Sequence, residues 1–589
     1  MRPVLAGPLL LLLACPGGDP GKERDSEAEA DSTPDTADTA DTAPLDSDDC
    51  TPTDETCNDL DDDCDGEVDE DALDAATWYL DADGDGHGDP ATPVVACEAP
   101  ARHVALATDC DDTDPAIYPG AEETGGDGVD SDCDGEDALP RPEGELWLAD
   151  ANRRWSGEAE GDWAGWTTAG GGDLDGDGFS DILVGAPGLG GGGSGAASVI
   201  LSSDPVPSGS LATADVVLRG VDDGDEAGRS VAILADVDGD GTPEVGVGAP
   251  GANGERGAAY ACSGTRLTSG ALDSCETRVV GEEAGLGAAL ASSDLNGDAA
   301  PDLLASADTG NGALLVWFGP VGGELDTSTA DARLEGEAGL DGYGGLAGTA
   351  LAASADADGD GVGDVLVAAP RLYIEGSSEG RVYLVSGLES GTVSLADADA
   401  TLDGEPGDYV GFSLGWAGDL DGDGYSEALL GAQYSWGSGG LSSCGRAYLV
   451  PGPLTGAVRL EDASSSIVEG DEDGMGVGAG LAGPGDLDGD GAPDVAVGIS
   501  EGHRTEAEAR AGSACLIYGP PAAGTLFPAD CDARWTGEAV GDKDLAGTGV
   551  NGAGDVNGDG FDDLLVGAAW SDIAAEKAGA AYLLFGGGG

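Results

Sequence analysis

"GDLDGDGFSDILVGAP", residues 172–187, places Asp173, Asp175, Asp177 and Asp181 at positions 1, 3, 5 and 9 of a loop, with Gly178 at position 6. Alternate residues of a tight loop turn their oxygens inward, and a glycine at position 6 permits the sharp bend. Calcium takes six to eight oxygens at about 2.3–2.6 Å, so four acidic residues plus the backbone carbonyl of Phe179 at position 7 form a suitable donor set. An EF-hand would need a glutamate at position 12 and a flanking helix. Position 12 is Val184, inside the strand-like run "DILVGAP". The stretch therefore reads as a calcium loop between two β-strands.

The loop occurs in seven copies. The second copy supplies Asp236, Asp238, Asp240, Thr242 and Glu244, the third Asp294, Asn296, Asp298, Ala300 and Asp302. The fourth supplies Asp356, Asp358, Asp360, Val362 and Asp364, the fifth Asp419, Asp421, Asp423, Tyr425 and Glu427. The sixth supplies Asp486, Asp488, Asp490, Ala492 and Asp494, the seventh Asp555, Asn557, Asp559, Phe561 and Asp563. Successive copies start 58–69 residues apart, a period that marks a repeat architecture. Ala299 replaces the position-6 glycine in the third copy, which makes that site the weak one. Glu244 and Glu427 end their loops in place of aspartate, a change of reach rather than of chemistry.

Each repeat carries the same strand signals: a Gly/Ala-rich run before the loop, an apolar run after it, a segment such as "GRVYLVSG", and a short run such as "ADARLEGEAG". Four short strands per repeat with hardly any helical period predict one four-stranded sheet per repeat. Seven such sheets predict an all-β, seven-bladed β-propeller with calcium loops. The seventh repeat stops after its third strand. The counterpart of its fourth, "ADANRRWSGEAEGD", stands before the first loop and parallels "ADCDARWTGEAVGD" further on. Donation of that segment across the ring would remove an open edge.

The units resemble the FG-GAP repeats of integrin α-chain propellers, through the D-x-[DN]-x-D-G-x-x-[DE] loop, the following "LVGAP" and the later "G-x-x-Y". The resemblance covers residues 143–589 and implies a calcium-stabilised binding or adhesion protein whose partner is an extracellular protein or glycan.

The chain's 116 acidic residues against 22 basic give a formal charge of −94, which excludes non-specific nucleic-acid binding. Such a charge destabilises a compact fold unless cations offset it. A site with a dissociation constant near 0.1 mM would add about 1.4 kcal/mol in millimolar calcium. That suits an extracellular setting. "MRPVLAGPLLLLLAC" reads as a secretory signal too short to span a membrane. Its end resembles the bacterial lipobox, which implies a lipid-modified Cys15 and no other membrane attachment. The expected location is the bacterial cell envelope, at the outer-membrane surface, with secretion as the alternative. Residues 16–49, including "DTADTADTA", have the composition of a disordered acidic tether.

Residues 50–139 form an Asp/Cys-rich module that resembles metal-binding repeats of secreted bacterial proteins. Asp61, Asp63, Asp65 and Asp69 fit the 1-3-5-9 loop, as do Asp81, Asp83, Asp85 and Asp89. A module so small and acidic needs disulfides and calcium to hold it. Its six cysteines allow 15 connectivities. Within the propeller, Cys262 and Cys275 flank one hairpin-sized segment and Cys515 and Cys531 the equivalent one, predicting two disulfides; Cys444 has no evident partner.

No catalytic motif stands out. "GSSEG" lies in a polar loop with no following helix, and "GTGVNG" precedes a calcium loop and opens no helix. The expectation is a binding protein rather than an enzyme; the alternative is a secreted hydrolase or lectin-like enzyme on the same scaffold. The expected ligand face is the one opposite the calcium loops. There the connections between second and third strands carry Tyr373, Tyr434, Trp436, His503, Arg504 and Trp570.

Overall fold

The computed structural model describes residues 52–587 apart from 65, 120, 122–128, 132, 134–140, 191, 203–205, 283, 356, 358, 360, 375–376, 438–439, 465, 501–510 and 539–543. The signal segment with Cys15, the tether, Asp65, Asp356, Asp358, Asp360, His503 and Arg504 lie outside the described residues.

Seven sheets form a β-propeller. In blade 1 the strands Thr167–Gly172, Asp181–Ala186, Ala196–Ile200 and Val216–Arg219 pair antiparallel in chain order. The first strands of the other blades are Ser230–Leu234, Leu286–Ser293, Leu351–Ala355, Ser413–Trp416, Val477–Ala482 and Ala546–Gly554. Each packs against the next, and Ala546–Gly554 packs back on Thr167–Gly172, closing the ring. The Asn551 side chain donates across that closure to the carbonyl of Thr168 at 2.7 Å.

The blades have five strands, not the four expected. The fifth is parallel and comes from the next repeat, where a short segment beginning with glycine precedes the fourth strand. Gly323–Asp326 thus joins Thr277–Val280 of blade 2, and Gly391–Ser394 joins Ala332–Glu335 of blade 3. The N-terminal segment fills both vacant places. Arg153–Ser156 pairs with Ala580–Leu584 as the fourth strand of blade 7, and Gly144–Trp147 pairs with Ala533–Thr536 as the fifth strand of blade 6. The fourth strand of every blade is thereby covered by a short strand from elsewhere in the chain.

The second strands are buried along their whole length, as in Asp181–Ala186 and Asp563–Ala568. Core clusters lie between neighbouring blades: Ile182 and Val184 meet Leu565 and Leu583, with Trp155 of the donated strand among them. The glycine of "LVGAP" follows from this packing. A Cβ on Gly185 would stand 2.2 Å from the carbonyl oxygen of Gly228 in the next blade. The same clash would arise at Gly248, Gly431, Gly498 and Gly567.

Cys262–Cys275 and Cys515–Cys531 are disulfides, as the spacing predicted. The N-terminal module holds a sheet of Ala76–Leu80 between Pro93–Ala96 and His103–Val104, with disulfides Cys57–Cys97 and Cys110–Cys133. Cys444 is a buried free thiol. No helix among the described residues is long and apolar enough to cross a membrane.

Candidate functional site

The acidic loops join first to second strands, and their own amides shape them. In blade 1 the Asp173 carboxylate accepts N–H bonds from Gly176 at 2.6 Å and Gly178 at 2.9 Å, and Asp177 Oδ1 accepts one from Phe179 at 3.0 Å. The bond from position 6 to position 1 recurs from Gly241 to Asp236, Ala299 to Asp294, Gly424 to Asp419, Gly491 to Asp486 and Gly560 to Asp555. Position 6 lies in the left-handed region: φ is 98° at Gly178, 93° at Gly241 and 71° at Ala299. The third loop thus keeps the shared geometry, at a conformational cost of about 1–2 kcal/mol for its alanine.

Position 9 does more than its sequence role. Asp181 Oδ2 accepts from the Leu174 amide at 2.7 Å, and its Oδ1 from the Ser202 amide at 2.8 Å. Asp302, Glu427, Asp494 and Asp563 make the same pair of bonds, to the loop's second residue and to the turn after the third strand. Glu244 and Asp364 accept from Val237 and Ala357. This side chain ties loop to sheet.

Burial raises the carboxyls of Asp181, Glu244, Asp302, Glu427, Asp494 and Asp563, and the neighbouring aspartates raise them further. Asp181 and Asp302 are pushed up to about 6, Asp494 to about 7, and Glu244 and Asp563 to about 8. In the second loop Asp236, Asp238, Asp240 and Glu244 bring oxygens within 4.8 Å of one another. Asp236 Oδ1 and Glu244 Oε1 are buried there without a hydrogen-bond partner. Asp173, Asp175 and Asp181 form a similar group. All-oxygen sets with orphaned buried oxygens fit a hard divalent cation, whose charge would offset the repulsion.

Two loops carry partners that the sequence did not reveal. Arg266 meets Asp240 at 3.3 Å, and Arg141 meets Asp488 at 3.1 Å from 347 residues away. The loops also touch one another. Position-7 side chains reach the position-4 glycine of the preceding blade's loop, Tyr425 at Gly359, Phe561 at Gly489 and, across the ring closure, Phe179 at Gly558.

In the N-terminal module, Asp81, Asp83 and Asp85 converge as expected. Asp89 instead accepts from the Ala91 amide, and Asp69 from the Asn58 and Asp59 amides. Glu55 joins Asp61 and Asp63, while Asp109 and Asp112 join Asp83. Asp109 is buried with Oδ2 unpartnered. Glu55, Asp109 and Asp112 fall outside the 1-3-5-9 spacing, so only the fold could have shown them.

On the opposite face, the connections of blades 4 and 5 and the links leading into them enclose a cleft of about 830 Å³. Tyr434 and Trp436 line it as exposed side chains. Tyr343, Tyr409, Phe412 and Arg371, none singled out from sequence, line it too. Tyr373 is half-buried beside it, bridged to Ser378. Trp570 belongs to blade 7, where it is half-buried with Lys577 4.9 Å over its ring.

The loops and strands match known repeats. The chain carries FG-GAP repeats at residues 164–200, 227–262, 347–385 and 547–584, spanning the first three strands of blades 1, 2, 4 and 7. The Cu-binding MopE metal-binding motif matches residues 52–70 and 109–138 of the module. Integrin alpha-4 of Xenopus laevis is 34% identical over 25% of this chain and 14% of its own length. Integrin alpha-E of Mus musculus is 36% identical over 24% of this chain and 12% of its own. The chain thus spans less than a fifth of the curated relatives it matches. The solved structure of BBS1N in complex with ARL6DN, soaked with mercury, covers 73% of this chain and 93% of that one at 11% identity and TM-score 0.38, too distant to bear on function.

Proposed function

We propose that the protein is a calcium-stabilised adhesion or binding propeller, held at the cell surface through a lipid on Cys15, that recognises an extracellular protein or glycan and catalyses no reaction. The observation that carries this reading is the repeated loop: orphaned, buried carboxylate oxygens in a blade that also matches FG-GAP repeats. Calcium would be held by positions 1, 3, 5 and 9 and the position-7 carbonyl, and would supply only charge and cross-linking. The integrin α likeness supports an extracellular binding role, and the aromatic cleft on the far face offers a surface for it.

The test is a chelated sample titrated with calcium, magnesium and copper while thermal unfolding is followed. An upward shift of many degrees with calcium, larger than with magnesium, is expected. An unchanged curve removes the calcium reading. The anchor is tested separately by Cys15→Ser, which should move the protein out of the membrane fraction.

A further inference from the structure

We propose that the cleft at blades 4 and 5 is a binding site for a neutral carbohydrate; this rests on the adhesion reading and names the ligand's chemistry. Its walls are rings. Tyr434 packs edge-on against Phe412, with centroids 5.0 Å apart at 85°, and against Tyr409 at 6.4 Å and 82°. Trp436 and Tyr343 stand free at the rim, 61% and 78% exposed. A braced inner wall with open outer rings offers flat apolar platforms without a large ordering cost. A pyranose presents an axial face of C–H groups that lies flat on such a ring, and a rim of hydroxyls that needs donors and acceptors around it. Asp341, Arg371, Ser378 and Ser443 supply both kinds at the cleft wall. The volume is within the roughly 300–1,000 Å³ of small-molecule sites.

Charge decides among ligand classes. A chain of formal charge −94 repels sulfated or uronate-rich polymers. A cationic side chain would meet exposed Arg371 inside the cleft. One carboxylate and one guanidinium leave the lining balanced, which suits a hydroxyl-rich, uncharged ligand.

The link that carries Tyr409 is tied to blade 5. Beneath it Arg446 pairs with Glu469 at 3.1 Å and Glu405 at 2.9 Å, and the Tyr448 hydroxyl donates to Asp408, next to Tyr409, at 2.6 Å. Tyr409 itself is held at φ 56° by a bond from its amide to the carbonyl of Ser378.

The test uses the full chain in millimolar calcium on an array of neutral hexose and N-acetylhexosamine glycans, with dextran sulfate and octalysine as charged probes. The strongest glycan is then titrated by tryptophan fluorescence. Trp436→Ala and Tyr343→Ala should each weaken binding by about tenfold or more, as for truncated aromatic anchors. Their calcium-dependent melting should not change, because both rings are exposed. Phe527→Ala, an exposed aromatic outside the cleft, should bind normally. The proposal is overturned if no neutral glycan saturates the protein, if both cleft variants bind it as before, or if only octalysine binding depends on Trp436. Absence of neutral-glycan binding in a protein that still captures an extracellular protein partner would sink the carbohydrate site and leave the adhesion reading standing.

Discussion

Trp155→Ala addresses the ring closure directly. Trp155 sits on the donated strand of blade 7, 3% exposed, in the core shared by blades 7 and 1. A buried tryptophan side chain covers about 150–250 Å². At about 25 cal/mol per Å² that is roughly 4–6 kcal/mol, and truncation to alanine typically costs about 3–5 kcal/mol because the cavity relaxes only in part. A propeller of about 450 residues has an unfolding entropy near 0.9 kcal/mol/K, so the melting midpoint should fall by about 3–5 °C if the ring melts as one unit. Calorimetry in saturating calcium reads that shift, and hydrogen exchange reads its location. Protection should fall first in Arg153–Ser156 and its partner Ala580–Leu584. Trp535→Ala is the control, a residue of similar burial at the matching place in blade 6. Its exchange should rise in Ala533–Thr536, while Arg153–Ser156, which does not share its core, stays protected. Unchanged protection in Ala580–Leu584, with an unshifted midpoint, would refute closure by strand donation.

Other outcomes follow from the loops. Ala299→Gly should stabilise the third loop by about 1 kcal/mol, read as tighter calcium binding there and a slightly higher midpoint, because position 6 is left-handed and the bend remains. Phe179→Ala should destabilise the chelated and the calcium-loaded protein alike, by about 1–3 kcal/mol, since its ring contacts the neighbouring loop at Gly558; a loss seen only with calcium would make it a ligand effect. The pH dependence in chelator has a definite sign. Asp181, Glu244, Asp302, Asp494 and Asp563 at position 9 titrate near 6 to 8 when folded, against about 4 when unfolded, so the folded chain binds more protons between those values. Stability of chelated protein should therefore fall as pH rises from about 4 through 8, and calcium should abolish the fall; a rise with pH in chelator would contradict the carboxylate environment described above.

Much of the fold was legible because its signals are local. The loop spacing, the apolar second strands and the repeat period each lie within one short window, and the parallel between the first and last segments exposed the closure. The fifth strands were not legible. Gly391–Ser394 and Gly209–Ser210 are short and largely exposed, so no apolar alternation marks them. The second task of position 9 was hidden because its amide partners, such as Ser202 for Asp181, come from another strand's end. The cleft was half legible. Tyr434 and Trp436 stood out in a long connection, whereas Tyr343 lies on the link into blade 4 and Tyr409 and Phe412 on the link into blade 5, where no aromatic pattern marks them. Arg371 and Arg141 gain their meaning from residues that sequence distance conceals.

The donated N-terminal strands also fix how the molecule responds to a pull. A tug on the chain ahead of Arg141 reaches Gly144–Trp147 first, which lies parallel to Ala533–Thr536 along its whole length. Force along a strand loads its ladder of hydrogen bonds together instead of peeling them one by one. Behind it, Arg153–Ser156 pairs with Ala580–Leu584 and buries Trp155 in the core shared by blades 7 and 1. Tension entering at that end is thus spread into blades 6 and 7 before it reaches the seam between blades 7 and 1, so the donated strands work as a clasp that shares the load.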